Sequence, residues 1–355
     1  MASRSQGFAR HLNGVSARYL AEAECLSEHP DPWRRLLGLS SLIHRLLWNR
    51  IALLYVIDIG PINLLAGVAA KYLFRIRFVI DTGDLVYDLA VAEGNSILRR
   101  AIKKITEDLA LFLSDAIVVR GTLHKKLLQK QSYRNVFYIP DGVDTVFSYP
   151  REVTELRERL GLQDVTTIGL VGTTHWNRKT QACNGWELVE TISLLRDLPV
   201  AGLLIGDGTG LPKLKRRADQ LEIGDRFKFF GRVPYECLPD HLSLIDICLL
   251  TQPNNPCGWV RTTGKLPEYL ALGRYIVSTE VGAAATILKD ERIGKLLSYD
   301  GVKDDTYPLR LADTLRTLIQ DRSLFEGPDK RVGVAKRLFE YRVLAKELET
   351  ALDAV

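Results

Sequence analysis

With 355 residues, of which 46% are hydrophobic and 26% charged, the chain has the makeup of a folded globular protein, and its length predicts two domains. No apolar run approaches the roughly 20 residues of a membrane-spanning helix and no signal-peptide pattern is seen, so the cytoplasm is the expected compartment. The net charge of +5 lies in the first half: residues 1–150 hold 19 Lys and Arg against 14 Asp and Glu, whereas residues 151–355 hold 29 of each.

That excess gathers in Trp33–Trp48 and Ile97–Ile105, where basic residues stand beside apolar ones at helical spacing. The pattern suits either a helix lying on anionic lipid or one packed by its apolar side on a sheet with its cations in water. Nucleic acid is not an expected partner, because aromatics are not interleaved with the cations and no binding motif occurs. Cys25, Cys183, Cys237, Cys248 and Cys257 show no metal-ligand spacing, so no metal is expected, and they fit a reducing compartment; Cys248 reads as a core residue.

Along the chain, Gly7–Leu12 reads as a helix and Ala17–Ala23 as a strand. A doubly wound domain normally opens with a strand and a glycine-rich turn, so the first strand is expected to be missing. Ala52–Ile59 reads as a strand, Pro61–Phe74 as a helix with proline in its first turn, and Arg77–Ile80 as a strand. The basic stretch and Glu107–Phe112 follow, then the strand Ala116–Arg120, the helix Leu123–Lys130 and the strand Val136–Ile139. A turn at Pro140–Asp144 and a linker at Thr145–Arg151 lead to a charged helix, Glu152–Leu160. Strands then recur at Thr167–Thr173, Val200–Ile205, Phe227–Phe230, Ile245–Thr251, Tyr275–Thr279 and Gly294–Leu297, with helices between, and a last helix spans Arg331–Leu352. The alternation predicts the α/β class, with doubly wound parallel-sheet domains at 1–148 and 149–329 and a helix at 330–355 crossing back to the first.

Open parallel sheets bind ligands at the carboxyl ends of their strands. Gly172 through Lys179 follows the first strand of the second half. There Arg178 can neutralise a diphosphate by paired hydrogen bonds and Lys179 as a point charge, or both are solvated surface cations. Gly206-Asp207-Gly208-Thr209-Gly210 follows the next strand and lets a nucleotide approach the backbone. Thr263-Gly264-Lys265 opens a helix that is either an ordinary capped helix or a phosphate grip. In the second case Lys265 adds its charge to the N-terminal N–H groups, and Glu268, one turn on, accepts from ribose hydroxyls. No GxSxG, His–Cys pairing or spaced carboxylate pair marks a nucleophile. Asp81 and Asp84, after a first-half strand, suit either contact with an acceptor hydroxyl or a turn-capping role. His124 and His241 read as structural and His175 as a loop residue.

Ile139-Pro140-Asp141-Gly142-Val143-Asp144 and the ordered run after it resemble the family-four retaining glycosyltransferases. The run comprises Val171-Gly172, Lys179, Leu204-Ile205-Gly206-Asp207-Gly208, Phe229-Phe230-Gly231-Arg232-Val233, Lys265 to Gly273, and Thr279-Glu280-Val281-Gly282, so that the match covers about residues 75–300. The resemblance implies a GT-B fold of two facing Rossmann-like domains and metal-independent transfer of a sugar, with retained configuration, from a nucleoside diphosphate sugar to a glycan or lipid-linked acceptor. No cofactor beyond that donor substrate is implied. Arg178 and Lys179 resemble the pair on the donor diphosphate, Glu268 the carboxylate on the ribose, and Gly172, Gly206, Asp207, Thr263, Gly264 and Lys265 the donor-lining backbone. Asp84 stands where an acceptor-side group is expected. Two positions depart from the family pattern: Val260 replaces the earlier of two glutamates, and Gly83 replaces a histidine. Polysaccharide or glycolipid assembly, with peripheral contact at the inner membrane face, is the expected setting. The competing expectation is a non-catalytic nucleotide-sugar-binding or scaffold subunit; an epimerase lacks a paired acid and base.

Overall fold

The computed structural model describes His44, residues 51–321, Ser323 and residues 327–355. The expected helix Gly7–Leu12, the strand Ala17–Ala23, Cys25 and, apart from His44, the basic stretch Trp33–Trp48 lie outside the described residues. The chain divides into two compact units. One holds the described residues through Asp141 together with Val260–Thr262 and Tyr341–Val355; the other holds Gly142–Trp259 and Thr263–Glu340.

The N-terminal unit is built on four parallel strands in the sheet order in which they occur, β1 (Leu53–Ile57), β2 (Arg77–Thr82), β3 (Ala116–Val119) and β4 (Val136–Tyr138). Between them run α1 (Pro61–Phe74), α2 (Val86–Ala92), α3 (Ile97–Leu113) and α4 (Thr122–Lys130). The expected basic stretch and Glu107–Phe112 are one continuous helix, α3. Sequential strand order with right-handed crossovers puts every connecting helix on one face of the sheet. On that face Phe78, Ile80, Ile117 and Val119 pack with Ala110, Leu111 and Leu128. The residues of opposite parity, Val79, Ala116 and Val118, point the other way and would lie bare. The helix Tyr341–Asp353 covers them through Leu344, Ala345, Leu348 and Leu352.

The helix expected over Arg331–Leu352 is therefore two helices. Pro328–Leu338 stays with the C-terminal unit, and the break falls where backbone groups serve another partner. The Phe339 carbonyl accepts the Val143 N–H at 2.8 Å, and the Glu340 carboxylate accepts from the Thr145 backbone N–H and hydroxyl.

The C-terminal unit carries six parallel strands in the order β10-β9-β8-β5-β6-β7: β5 (Thr166–Val171), β6 (Val200–Ile205), β7 (Phe227–Gly231), β8 (Ile247–Leu250), β9 (Tyr275–Thr279) and β10 (Gly294–Leu297). The inner strands β6 and β8 are unbroken apolar runs, as strands covered on both faces must be, whereas the edge strands β7 and β10 each carry a lysine, Lys228 and Lys295. Helices cover both faces, with Tyr269, Leu270 and Leu266 in one core and Leu188, Ile192, Leu311 and Leu315 in the other. Winding reverses between β5 and β8, whose ladder reaches only Ile168↔Ile247 and Gly169↔Cys248. Beyond it the strands part, and that opening is where such sheets take ligands. Cys248 is fully buried, and burial pushes its thiol well above the usual range.

Leu348 is 1% exposed within the cluster that closes the N-terminal sheet. Leu348→Ala is expected to cost roughly 2–4 kcal/mol, read as a lower urea midpoint for the transition of that unit.

Candidate donor site at the parting of β5 and β8

The opening is held by a tyrosine. Val171, two residues past the last β5–β8 pair, gives its N–H to the Tyr269 hydroxyl at 2.9 Å. Tyr269 is fully buried in the helix Lys265–Ala271, and burial drives its phenol well above the ordinary value, so it serves as a neutral hydrogen-bonding group. This bond fixes the helix against the end of β5 and sets Lys265, one turn earlier, beside Gly172. A Cβ on Gly172 would lie 2.7 Å from Lys265 Cε, 2.9 Å from Nζ and 3.2 Å from Asn184 Nδ2.

Gly172 and Gly206, with φ of +141° and +143°, end β5 and β6 in backbone that side chains rarely adopt. A Cβ on Gly206 would stand 1.9 Å from the Gly172 carbonyl oxygen, so the two strand ends touch through bare backbone. The loops zip together further on: Thr174 N–H donates to the Asp207 carbonyl at 3.0 Å and Gly210 N–H to the Thr174 carbonyl at 2.7 Å. Gly172, Gly206 and Lys265 are thus one locus.

The other expected residues are placed differently. Arg178 and Lys179 are exposed at the tip of a hairpin closed by the Asn177↔Ala182 bridge, where Asn177 Oδ1 accepts the Lys179 N–H at 2.8 Å. The exposed Asp207 turns its carboxylate onto the Gly208 N–H at 2.7 Å. Thr263 accepts the Leu266 N–H through its carbonyl, and Gly264 has φ −58° and ψ −15°, open to any residue. The helix it precedes has only seven residues, so the Lys265 charge outweighs the helix end as an anion-attracting feature. Glu268 is buried, one turn from Lys265.

Three side chains at this locus escaped the sequence reading. Asn184 has a buried amide nitrogen without a hydrogen-bond partner, and so does the fully buried Thr174 at its hydroxyl. Glu187, in the first turn of the helix Trp186–Leu194, lies within electrostatic reach of Lys265. Burial raises its carboxyl, while the Tyr299 hydroxyl donates to it at 2.9 Å. Asparagine before glycine reads as a turn in sequence, which hid Asn184.

In the N-terminal unit the strand ends gather carboxylates around one guanidinium: Arg120 reaches Asp58 at 3.1 Å, Asp81 at 3.4 Å and Asp141 at 3.6 Å. Of the two departures from the family pattern, the glycine at position 83 has a steric cause here. A Cβ on Gly83 would lie 2.7 Å from the Arg120 side chain, so a histidine does not fit. Val260 is buried, with its carbonyl 1.7 Å from where a Gly121 Cβ would stand. Asp84 is engaged by Arg261, whose Nε donates to it at 2.8 Å. His124 is 1% exposed with Nδ1 lacking a partner; burial, opposed by the charge of Asp84, pushes its pKa down to about 4. Among the described residues no three His, Cys, Asp or Glu side chains gather as a metal-binding group.

Residues 165–321 match the family model described as "Glycosyl transferases group 1". The matched stretch contains the parting of β5 and β8 and the Lys265–Gly172 locus. No curated protein matches the chain in sequence. Among solved structures, HepE of Anabaena, in complex with UDP-glucose, superposes with a TM-score of 0.70 at 16% identity, over 92% of this chain and 84% of that one. Sucrose-phosphate synthase of Thermosynechococcus elongatus gives 0.71 at 17%, over 96% and 81%. WaaG, a glycosyltransferase involved in lipopolysaccharide biosynthesis, gives 0.67 at 15%, over 98% and 95%. These likenesses establish the GT-B fold class for a chain whose two units are each Rossmann-like.

Gly206→Ala should destabilise the C-terminal unit by roughly 2–4 kcal/mol, because the new methyl group meets backbone that cannot yield. Gly333→Ala, in a helix of the same unit with nothing within 4 Å of the added carbon, should leave stability unchanged or raise it by up to about 1 kcal/mol in the same urea titration.

His124 supplies a pH signature. Its folded-state pKa is below the ordinary 6.5, so the unfolded chain takes the proton first and stability falls as pH drops from 6.5 toward 4. The slope from this group is at most about 1.4 kcal/mol per pH unit. His124→Gln should remove that part of the acid sensitivity, compared by urea midpoints on either side of the window.

Proposed function

We propose that the chain transfers a sugar from a nucleoside diphosphate sugar to a glycan or lipid-linked acceptor, with retention of configuration and without a metal. The observation that carries this reading is the Lys265 ammonium beside Gly172 where β5 and β8 part. Breaking a glycosidic bond to a nucleoside diphosphate loads negative charge onto the departing diphosphate. A preformed cation in a partly dry site stabilises that charge without having to reorganise. On this reading Lys265 meets the diphosphate, and Gly172 and Gly206 give it room against bare backbone. The buried amide of Asn184 and hydroxyl of Thr174 supply donors that need a partner.

Glu268 is assigned to the ribose hydroxyls and Arg178 and Lys179 to the outer diphosphate oxygens, the hairpin bringing them in when donor binds. Gly264, Thr263 and Asp207 line the donor through backbone. That HepE was solved with UDP-glucose and WaaG belongs to lipopolysaccharide biosynthesis supports a uridine-type donor and a surface-glycan or glycolipid acceptor. Work in the cytoplasm with peripheral contact at the inner membrane face belongs to the same reading.

A second reading, a nucleotide-sugar-binding subunit without turnover, is favoured by one observation: the expected acceptor-side carboxylate, Asp84, is already held by Arg261.

Lys265→Ala should lower acceptor-independent hydrolysis of a UDP-sugar by roughly 10²–10³-fold. Lys265→Arg should recover part of the rate. An unchanged rate in the alanine variant would dismiss this site, and donor binding with no hydrolysis by the unaltered protein would select the second reading.

A further inference from the structure

The helix Trp186–Leu194 gives the core of the C-terminal unit Leu188, Val189 and Ile192 from its inner side. Trp186, Glu187, Glu190 and Leu194, which recur at helical spacing, turn another side to a cleft of about 360 Å³. Arg217 of the helix Leu211–Gln220 and residues between Lys303 and Leu309 supply the rest of the wall. That volume falls at the small end of the range for sites that bind small molecules.

The lining selects its ligand by elimination. Neither cation of the wall is free for a phosphate. Arg217 grips Glu190 through two parallel bonds, Nε at 2.7 Å and Nη2 at 3.1 Å, and Lys303 pairs with Asp305 at 2.9 Å. Asp304 is spent on its own loop, where it accepts the N–H groups of Asp300 at 2.9 Å, Thr306 at 3.0 Å and Tyr307 at 3.1 Å. Among the described residues no group of three potential metal ligands forms, so a divalent cation has no seat.

What remains offers both donors and acceptors. Glu187, steadied by the Tyr299 hydroxyl at 2.9 Å, and Glu190 present carboxylate oxygens, while Arg217 and Lys303 present N–H groups. A hydroxyl donates and accepts at once, so a ring carrying several adjacent hydroxyls meets this mixture where a simple anion or cation meets only half of it. Trp186 adds an apolar wall. Its indole stands edge-on to Trp176, with ring centroids 5.7 Å apart at 64°, and is held in place before any ligand arrives. Leu194 and Leu309, 38% and 55% exposed, extend the apolar part of the rim.

We propose that this cleft is a second, non-catalytic saccharide site, which takes a neutral pyranose unit with its hydroxyls on Glu187, Glu190 and Arg217 and its C–H face on Trp186. The site goes beyond the function proposed above and touches the donor locus only at Glu187.

The test is calorimetric titration of the full chain with glucose, galactose and N-acetylglucosamine, with and without excess UDP. At least one should bind saturably with a dissociation constant in roughly the millimolar range, unchanged by UDP within about twofold. Glu190→Gln, which breaks the Arg217 fork, should weaken saccharide binding at least about tenfold and leave UDP binding unchanged. Trp186→Leu should weaken it similarly and Trp186→Phe should recover most of the loss, since a ring is restored. An unchanged thermal midpoint confirms that these variants fold; if Trp186→Leu lowers it, Glu190→Gln decides alone. Lys265→Ala should keep saccharide binding while losing UDP, so failure of this proposal and failure of the donor site are distinguishable. Glucose 6-phosphate should bind no more tightly than glucose.

Absence of saturable binding by all three sugars overturns the proposal, as does undiminished binding by folded Glu190→Gln. Displacement of the sugar by UDP would assign the cleft to the donor, and tighter binding of glucose 6-phosphate would make it an anion site; either result overturns the proposal as well.

Discussion

The bond from Val171 N–H to the Tyr269 hydroxyl is the constraint on which the C-terminal unit's site depends. A parallel sheet whose winding reverses must let two adjacent strands separate, and separation strands a backbone donor in the interior. Filling that vacancy with a side chain, and not water, ties the helix Lys265–Ala271 to the end of β5 in a fixed register. The position of the Lys265 ammonium follows from it. The glycines at 172 and 206 follow as well, since the strand ends that meet beside this helix leave no volume for side chains.

The N-terminal unit is organised by different electrostatics. Three carboxylates share Arg120, and a fourth, Asp84, is taken by Arg261. Gly83 looks like a loss when compared with a family pattern, yet it makes room for Arg120, and the backbone of Val260 in turn requires a glycine at position 121. The Arg120 guanidinium occupies the space that a side chain at position 83 would need.

Much of this was readable in the sequence, for identifiable reasons. Val200–Ile205 is an uninterrupted apolar run and Tyr275–Thr279 opens on one, Tyr275-Ile276-Val277, and the limits of both agree with the structure. The donor-site glycines were legible because glycine after a strand is a local signal. Asn184, Thr174 and Glu187 were not, since their roles arise from what lies across the sheet edge and not from their neighbours in sequence. The prominence expected of Gly264 and of the helix end faded because the helix is short and Gly264 is conformationally ordinary. The division of the last helix was hidden for a similar reason: its cause, the strap at Val143–Thr145, is almost two hundred positions away.

The helix Tyr341–Asp353 carries an implication for biosynthesis. Strands made early leave one side of their sheet bare until residues 341–353 leave the ribosome, whereas everything the C-terminal unit needs is available slightly sooner. During translation the first-made half must therefore wait, unfinished and sticky, while the second-made half completes itself. Nascent chains stalled before Tyr341 would be the natural clients of holding chaperones.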